Sequence, residues 1–442
     1  MWRGSAVKYL RRPGPIILLL FIAAMALVCV ALMRETFGHA ILHRNSAPLE
    51  ATAAQIEHGE YLARIGNCAG CHTARGGDAY AGGRAVDTPF GAIYASNLTP
   101  DNDTGIGQWS AGAFYRALHE GRSRDGRMLY PAFPYPNMTL TTRDDSDAIY
   151  AYLMNRVTPV AAANTPNTLS FPFNNQFALA AWRVLYFKPG KYQPVSTQSA
   201  EWNRGAYLVQ GLAHCGACHS TRNALGAPVA GHTYDGAMMP GNDWYAPSLT
   251  SASEASVAEW DPAQIATWLK VGTSPRGTAL GPMAEVIFQS TQYANNADVL
   301  AMATYLKALP SVAQSGVSAT PNKLNTQRKS DDVGAKLYLK HCADCHGDNG
   351  EGKADAFPAL AGNRTVTMAN ATNLITLILK GGFAPASAGN PRPHGMPPFY
   401  HLLNDGDIAN VATYVRSHWG NARPALTELD MVKYRNGLGS GR

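Results

Sequence analysis

Cys68-Ala-Gly-Cys71-His72 is the first of three copies of one pattern, followed by Cys215-Gly-Ala-Cys218-His219 and Cys342-Ala-Asp-Cys345-His346. A cysteine pair at this spacing could by itself belong to a zinc site, a redox dithiol or a disulfide. None of these needs a histidine directly after the second cysteine in every copy, and the chain has only 13 histidines in 442 residues. Two thiols that add to the vinyl groups of a porphyrin, followed by an imidazole for its iron, do need this pattern. The sequence therefore predicts three covalently bound haem c groups.

Each motif lies inside a longer repeat of helical segments. A short stretch that starts with glycine leads into each motif, namely Gly59-Glu-Tyr-Leu62, Gly205-Ala-Tyr-Leu208 and Gly334-Ala-Lys-Leu-Tyr338. A second apolar segment closes each unit and starts with an acid, which favours a helix N-terminus, at Asp147, Asp298 and Asp407. The repeat predicts an all-α chain in which three small domains each wrap around one haem.

The boundaries of these units follow from changes in composition along the chain. The predicted segments are the haem domains 50–158, 201–310 and 331–421, the aromatic-rich connector 159–200, the polar linker 311–330 and the C-terminal tail 422–442. Within the connector, residues 177–187 form an aromatic run with a single charge. This run predicts either a helix packed between domains or a surface that contacts membrane, quinone or a partner subunit.

The first 40 residues are interpreted as a cytoplasmic flank and a membrane anchor. Residues 15–33 carry no charge and could span ~28 Å as a helix. Positive residues stay on the cytoplasmic side of a membrane, so the haem domains are expected in the periplasm, held at the bacterial inner membrane by one N-terminal span. A cleaved signal peptide that ends near Gly38-His39-Ala40 is the alternative.

The overall charge excludes a nucleic-acid-binding surface. The formal net charge is +6, but four of these positive charges are Arg3, Lys8, Arg11 and Arg12, which leaves +2 for residues 13–442. Such a nearly neutral body gives no electrostatic footprint for a phosphate backbone. Hydrophobic residues make up 46% of the chain and charged residues 15%, which excludes a disordered polyampholyte or a long coiled coil.

Methionine is the expected sixth iron ligand in each domain, because a thioether opposite histidine raises the reduction potential. We look for it in the loop before each final helix, and in the first domain we favour Met138 over Met128. The predicted thioether cysteines are Cys68, Cys71, Cys215, Cys218, Cys342 and Cys345, and the predicted iron ligands are His72, Met138, His219, Met283, His346 and Met396. The sequence offers no convincing set of residues for acid–base work on a substrate, no phosphate loop and no nicotinamide fingerprint.

The order of the three motifs resembles the three-haem cytochrome c subunit of membrane-bound bacterial dehydrogenases, which oxidise alcohols, aldehydes, polyols or gluconate at the periplasmic face. The resemblance covers residues 50–421, and the matching segments are Leu129-Tyr-Pro-Ala-Phe-Pro-Tyr135, Trp244-Tyr-Ala-Pro-Ser-Leu249, Gly281-Pro-Met-Ala-Glu285 and Gly389-Asn-Pro-Arg-Pro393. It departs from the pattern at Phe133, where many relatives carry methionine.

The resemblance implies cytochrome c-like domains and an electron-transfer subunit with no substrate-oxidising site of its own. It implies a larger catalytic partner, which is a quinoprotein, a flavoprotein or a molybdopterin and iron–sulfur protein, and it implies ubiquinone and the lipid bilayer as further partners. An uncleaved anchor is more similar to the cytochrome subunit of molybdopterin and iron–sulfur aldehyde dehydrogenases. The alternatives are a free-standing, membrane-tethered cytochrome c that donates electrons to a terminal oxidase, and a haem enzyme such as a peroxidase.

Overall fold

The computed structural model describes residues 14–37, 49–241, 243–274, 276–311, 324–354 and 356–437. The basic residues of the predicted cytoplasmic flank and the alternative cleavage site at residues 38–40 lie outside the described residues. Parts of the predicted linker 311–330 and tail 422–442 lie outside them as well.

Helices dominate the described part of the chain, and the predicted all-α class is confirmed. The first domain contains α2 Ala53–Ile65, α3 Cys68–His72, α4 Ala111–Glu120, α5 Tyr135–Met138 and α6 Arg143–Arg156, preceded by α1 Gly14–Phe37 and followed in the connector by α7 Gln176–Tyr186. The second contains α8 Ala200–Tyr207 with a π-helical extension Leu208–Leu212, α9 Gly216–His219, α10 Pro262–Val271, α11 Pro282–Gln289, a 3₁₀ turn Thr291–Tyr293 and α12 Asn296–Lys307. The third contains α13 Leu324–His341, α14 Ala343–His346, α15 Arg364–Thr367, α16 Thr372–Lys380 and α17 Asp405–Ser417, with α18 Glu428–Gly437 in the tail.

Four short antiparallel ribbons stiffen the loops between these helices. They are β1 Ala85–Thr88 with β2 Gly91–Tyr94, β3 Ala237–Met238 with β4 Tyr245–Ala246, β5 Thr273–Ser274 with β6 Gly277–Thr278, and β7 Gly382–Phe383 with β8 Gly395–Met396. In the last ribbon Gly382 lies opposite Met396, so the loop with the expected third-domain ligand is tied to the end of α16.

The closing helix of each domain begins at a capping side chain. Thr142, Asn295 and Asn404 each accept a hydrogen bond from the backbone amide three residues on, which satisfies a donor that the helix leaves free. The predicted start of the first closing helix at Asp147 is therefore wrong by one turn, since Thr142 caps α6 and its first residue is Arg143. Helix α13 likewise begins at Leu324, inside the segment predicted as linker.

A glycine lies where the first helix of each domain crosses the last one. A Cβ atom on Gly59 would stand 1.8 Å from the carbonyl oxygen of Ala148 in α6, and one on Gly205 would stand 1.9 Å from that of Ala301 in α12. The third domain has the same crossing, with 2.5 Å from Gly334 to Asn410. The glycine that opens each repeat thus permits the two backbones to touch.

The first two domains share one hydrophobic core, whereas the third has its own. The shared core contains Leu62 and Ile149 of the first domain together with Leu208 and Met302 of the second. The third core is built around Tyr338 and Ile408, and Met431 of α18 packs into it, so this part of the predicted tail is docked.

Reciprocal hydrogen bonds tie the first two domains together. The Tyr61 hydroxyl donates to Asp298 at 2.7 Å, and the Tyr207 hydroxyl donates to Asp145 at 2.5 Å. Each tyrosine comes from the first helix of one domain, and each aspartate comes from the first turn of the closing helix of the other. This exchange gives the pair an approximate two-fold arrangement.

The end of α1 is fixed to the body of the protein by a buried ion-pair triad. The Glu35 carboxylate lies 2.8 Å from Arg122 Nη2 and 2.5 Å from Arg183 Nε, and both arginine side chains are almost fully buried. One turn earlier, Leu32 packs against the small core that Met128 and Leu179 form between the first domain and α7. Of the residues described, no helix combines the length and the apolar character of a membrane span, so the predicted N-terminal span is not supported.

Candidate haem-binding sites

Each proximal histidine is oriented by a backbone carbonyl of its own domain. Nδ1 of His72 lies 2.6 Å from the carbonyl oxygen of Ser96, and Nδ1 of His219 lies 2.7 Å from that of Pro247. In the third domain His346 Nδ1 has the same contact with Pro358, at 2.9 Å. Because a carbonyl only accepts, Nδ1 carries the proton and Nε2 keeps its lone pair for a metal.

Burial keeps these three imidazoles neutral. Removal from water lowers the pKa of His72, His219 and His346, and the bond to the carbonyl oxygen opposes this shift only in part. A neutral imidazole is the form that ligates iron, so local electrostatics and geometry favour the same protonation state.

The second domain contains a cavity of about 260 Å³. Cys215, Cys218 and His219 line it together with Met283, the expected opposite ligand. The remaining wall is mostly apolar. The indole Nε1 of Trp260 is buried in this wall without a hydrogen-bond partner among the described residues, as a donor that a haem propionate would satisfy.

A second cavity, of about 80 Å³, lies in the third domain. Cys342 and His346 line one side, Met396 belongs to the same lining, and Phe399 and Leu374 close the apolar wall. The residue types and their placement again fit a covalently held haem with a histidine and a methionine available to the iron.

In the first domain the two candidate methionines lie in different cores. Met138, at the end of α5, is buried in the shared core against which Cys68 packs. Met128 is also buried, but it belongs to the separate small core with Leu179 and Ala180. Met138 stays the expected ligand of the first site, and Phe133 packs against the same shared core.

The second site adjoins both of the others. Ile65 and Asn67, next to the first motif, line the second cavity. The second and third cavities share part of their walls, which includes Leu280 and Leu377.

The carbonyls that orient the histidines are not predicted by the motifs. The sequence does carry a signal for two of them, because two segments of the repeat are similar. Ser96 and Pro247 occupy the same position when Tyr94-Ala-Ser-Asn-Leu-Thr99 is aligned with Tyr245-Ala-Pro-Ser-Leu-Thr250. The third segment, Phe357-Pro-Ala-Leu360, shares with the other two only the leucine two residues after the carbonyl.

Comparison with known proteins finds similar sequences over most of the chain. The cytochrome c family matches residues 56–156 and 332–419. The alcohol dehydrogenase (quinone) cytochrome c subunit of Gluconacetobacter polyoxogenes is 38% identical over 400 residues, which cover 88% of this chain and 85% of that protein. The fructose dehydrogenase cytochrome subunit of Gluconobacter japonicus is 37% identical, with 87% and 83% covered, and the gluconate 2-dehydrogenase cytochrome c subunit of Pantoea cypripedii is 35% identical, with 92% and 94% covered.

Proposed function

Because this chain belongs to the family of cytochrome c subunits of dehydrogenase complexes, we propose that it carries three haem c groups and relays electrons from a catalytic subunit to membrane ubiquinone. The family makes it an electron-transfer subunit and not the catalytic one. The proposed partner oxidises an alcohol or an aldehyde in the periplasm. We favour a molybdopterin and iron–sulfur aldehyde dehydrogenase, for which the apolar N-terminal segment is the only support.

One observation carries the proposal. Each motif histidine has its Nδ1 on a backbone carbonyl, and in the second and third domains one cavity is lined by both the motif histidine and the expected methionine, while Met138 of the first domain belongs to the core against which Cys68 packs. The haem iron, when bound, takes up and releases one electron at a time. The chain's residues hold the porphyrin through thioethers, fix the imidazole by its carbonyl bond and keep water away with apolar walls.

We also propose that the N-terminal helix is retained and holds the subunit at the bilayer. Residues 15–33 carry no charge, and Leu19 and Leu27 of α1 are about two-thirds exposed, at 66% and 71%. On the neighbouring helix α7, Phe177 and Leu185 are exposed as well, which extends the apolar surface beyond α1. The Glu35 triad would lose its acid if the chain were cut near residue 40.

The experiment that tests the relay is mass spectrometry of the intact complex purified from membranes. We expect a chain that starts near Met1, has a mass increased by three haems and is accompanied by a larger subunit with its own cofactor. Single variants Cys71→Ala, Cys218→Ala and Cys345→Ala should each disrupt attachment at one motif. A chain that purifies alone and reduces a terminal oxidase would instead favour the free-standing carrier, and fewer than three haems would contradict the proposal.

A further inference from the structure

A basic side chain binds the same backbone carbonyl at all three haem-binding motifs. The carbonyl is that of the residue directly before the second cysteine. The three contacts are Arg84 Nη1 to Gly70 O at 2.5 Å, Arg222 Nη2 to Ala217 O at 2.7 Å, and Lys353 Nζ to Asp344 O at 2.5 Å. The cations come from different places in each repeat, 12, 3 and 7 residues after the motif histidine, so the sequence alone does not align them. Each motif therefore has a positive charge close to its cysteine pair.

The charge is cancelled at the first motif. Both terminal nitrogens of Arg84 donate to the Glu285 carboxylate, with 2.8 Å between Nη2 and Oε2. The side chains are half-buried, so water screens this pair only in part. Among the described residues, no carboxylate lies within ion-pair distance of Arg222 or Lys353.

The cation at the second motif is enclosed without an acid. Arg222 uses its other terminal nitrogen for the carbonyl of Gly226 at 2.7 Å, and burial lowers the pKa of its guanidinium. An arginine in this setting still carries its charge at neutral pH. Lys353 is exposed to solvent, which weakens the field of its ammonium group.

Glu285 comes from the neighbouring domain and lies close to that domain's expected ligand. It belongs to α11, two residues after Met283, and α11 packs against α3 of the first motif. The Arg84–Glu285 pair therefore lies at the junction between the first and second sites.

We propose that Glu285 lowers the reduction potential of the first haem relative to the second by cancelling the charge of Arg84, while the charge of Arg222 remains. A ferric haem carries one more positive charge than a ferrous haem, so a nearby cation favours the reduced state and raises the potential. The inference rests on the proposed function, because it requires haem at both motifs. The difference in charge between the two sites therefore makes the free energy of electron transfer from the first haem to the second more favourable.

The test is an equilibrium spectroelectrochemical titration of the full-length protein, resolved into its haem components. In Glu285→Gln the charge of Arg84 is no longer cancelled, and one component should move to higher potential, with its ratio of reduced to oxidised haem rising about tenfold at fixed potential, which is ~59 mV for one electron. Arg84→Gln should move the same component to lower potential. The double variant Arg84→Gln with Glu285→Gln is neutral again and should return close to the wild-type value.

The matched controls separate charge from structure. Asp125→Asn removes one negative charge from an exposed ion pair with Arg127 and should leave all components unmoved. Arg222→Gln should lower the potential of a second component, and Arg222→Lys should restore it.

Unchanged potentials in Glu285→Gln and Arg222→Gln, or a double variant shifted as far as either single variant, would overturn the inference. The haem content of each variant, measured by mass spectrometry, distinguishes a failure of this inference from a failure of the proposed function. Three haems with unmoved potentials contradict this inference alone, and missing haems in the wild type contradict the proposed function.

Discussion

The histidine of each motif shows what a single residue contributes and what it needs from its surroundings. The cysteines next to it fix its place in sequence, but the carbonyls of Ser96, Pro247 and Pro358 set the direction of the ring. These residues act through their backbone, so their side chains need not be the same: the first is serine, and the other two are prolines. The pattern therefore predicts the ligand, and the structure shows what orients it.

Met138 is the expected sixth iron ligand of the first site. Met138→Ala should remove the thioether opposite His72, so that one haem of three becomes high-spin and accessible to carbon monoxide. The cavity in the shared core should also cost about 2–5 kcal/mol in the free energy of unfolding. Absorption spectra with and without carbon monoxide, together with denaturant unfolding, measure both effects.

Met128→Ala is the matched control for this variant. Both side chains are almost fully buried, so both substitutions create a cavity, but Met128 packs against Leu179 and Ala180 in the separate core. We expect a similar loss of stability with an unchanged haem spectrum. The opposite pattern of spectra would make Met128 the ligand.

At the level of the elements, the crossing of the first and last helices sets the frame of each domain. Hydrophobic spacing predicts that these helices exist, and the repeat predicts that they recur. It does not predict where they touch, because the contact at Gly59 is made with a backbone carbonyl and not with an apolar side chain. The start of α6 was missed for a similar reason, since the cap at Thr142 is a local hydrogen bond that outweighs the more obvious acid at Asp147.

Gly59→Ala tests the importance of this crossing. The added methyl group would stand 1.8 Å from the carbonyl oxygen of Ala148, so α2 and α6 would have to move apart. We expect a loss of about 1–3 kcal/mol or more in the free energy of unfolding, by analogy with overpacked cores. Gly190→Ala, where the nearest atom to the added group is 3.9 Å away, should leave the thermal midpoint nearly unchanged. Equal midpoints for the two variants would mean that the crossing adapts at little cost.

On the scale of the whole molecule, the sequence predicts three domains, but it does not show that two of them share one hydrophobic core. Length and the three motifs give the number of units. The shared core could not be predicted. The spacing of apolar residues such as Leu208 shows that one face of a helix is buried, but not which domain packs against that face. The exchanged pairs Tyr61–Asp298 and Tyr207–Asp145 are likewise long-range contacts that one sequence does not reveal.

Asp298→Asn should weaken the interface between the first two domains. Burial alone would raise the pKa of Asp298, but the hydrogen bonds from Arg204 and Tyr61 outweigh it, so the pKa is lowered. The carboxylate therefore stabilises the fold above its unfolded pKa of ~4, and this contribution is lost as pH falls toward the lower folded value.

We expect the variant to unfold about 1–3 kcal/mol more easily at pH 7, because the partly exposed Arg204 loses its charged hydrogen-bond partner, and to differ less from wild type below pH ~4. Thermal unfolding followed at pH 7 and pH 3 measures this. Asp125→Asn, in an exposed pair, should match wild type at both values. A deficit of Asp298→Asn that does not shrink with acid would contradict the electrostatic explanation.

The N-terminal helix is joined to the whole molecule through Glu35, and this contact decides whether α1 is part of the mature fold. Arg122 and Arg183 are both buried, and the acid that they share comes from α1. Glu35→Gln should therefore destabilise the protein by about 3–5 kcal/mol and loosen α1, which limited proteolysis near residue 40 would detect as faster cleavage. Arg34→Gln changes the exposed neighbour on the same helix and should leave both measurements unchanged. If Glu35→Gln matched wild type in stability and in cleavage, the carboxylate of Glu35 would not be what holds α1 to the body of the protein.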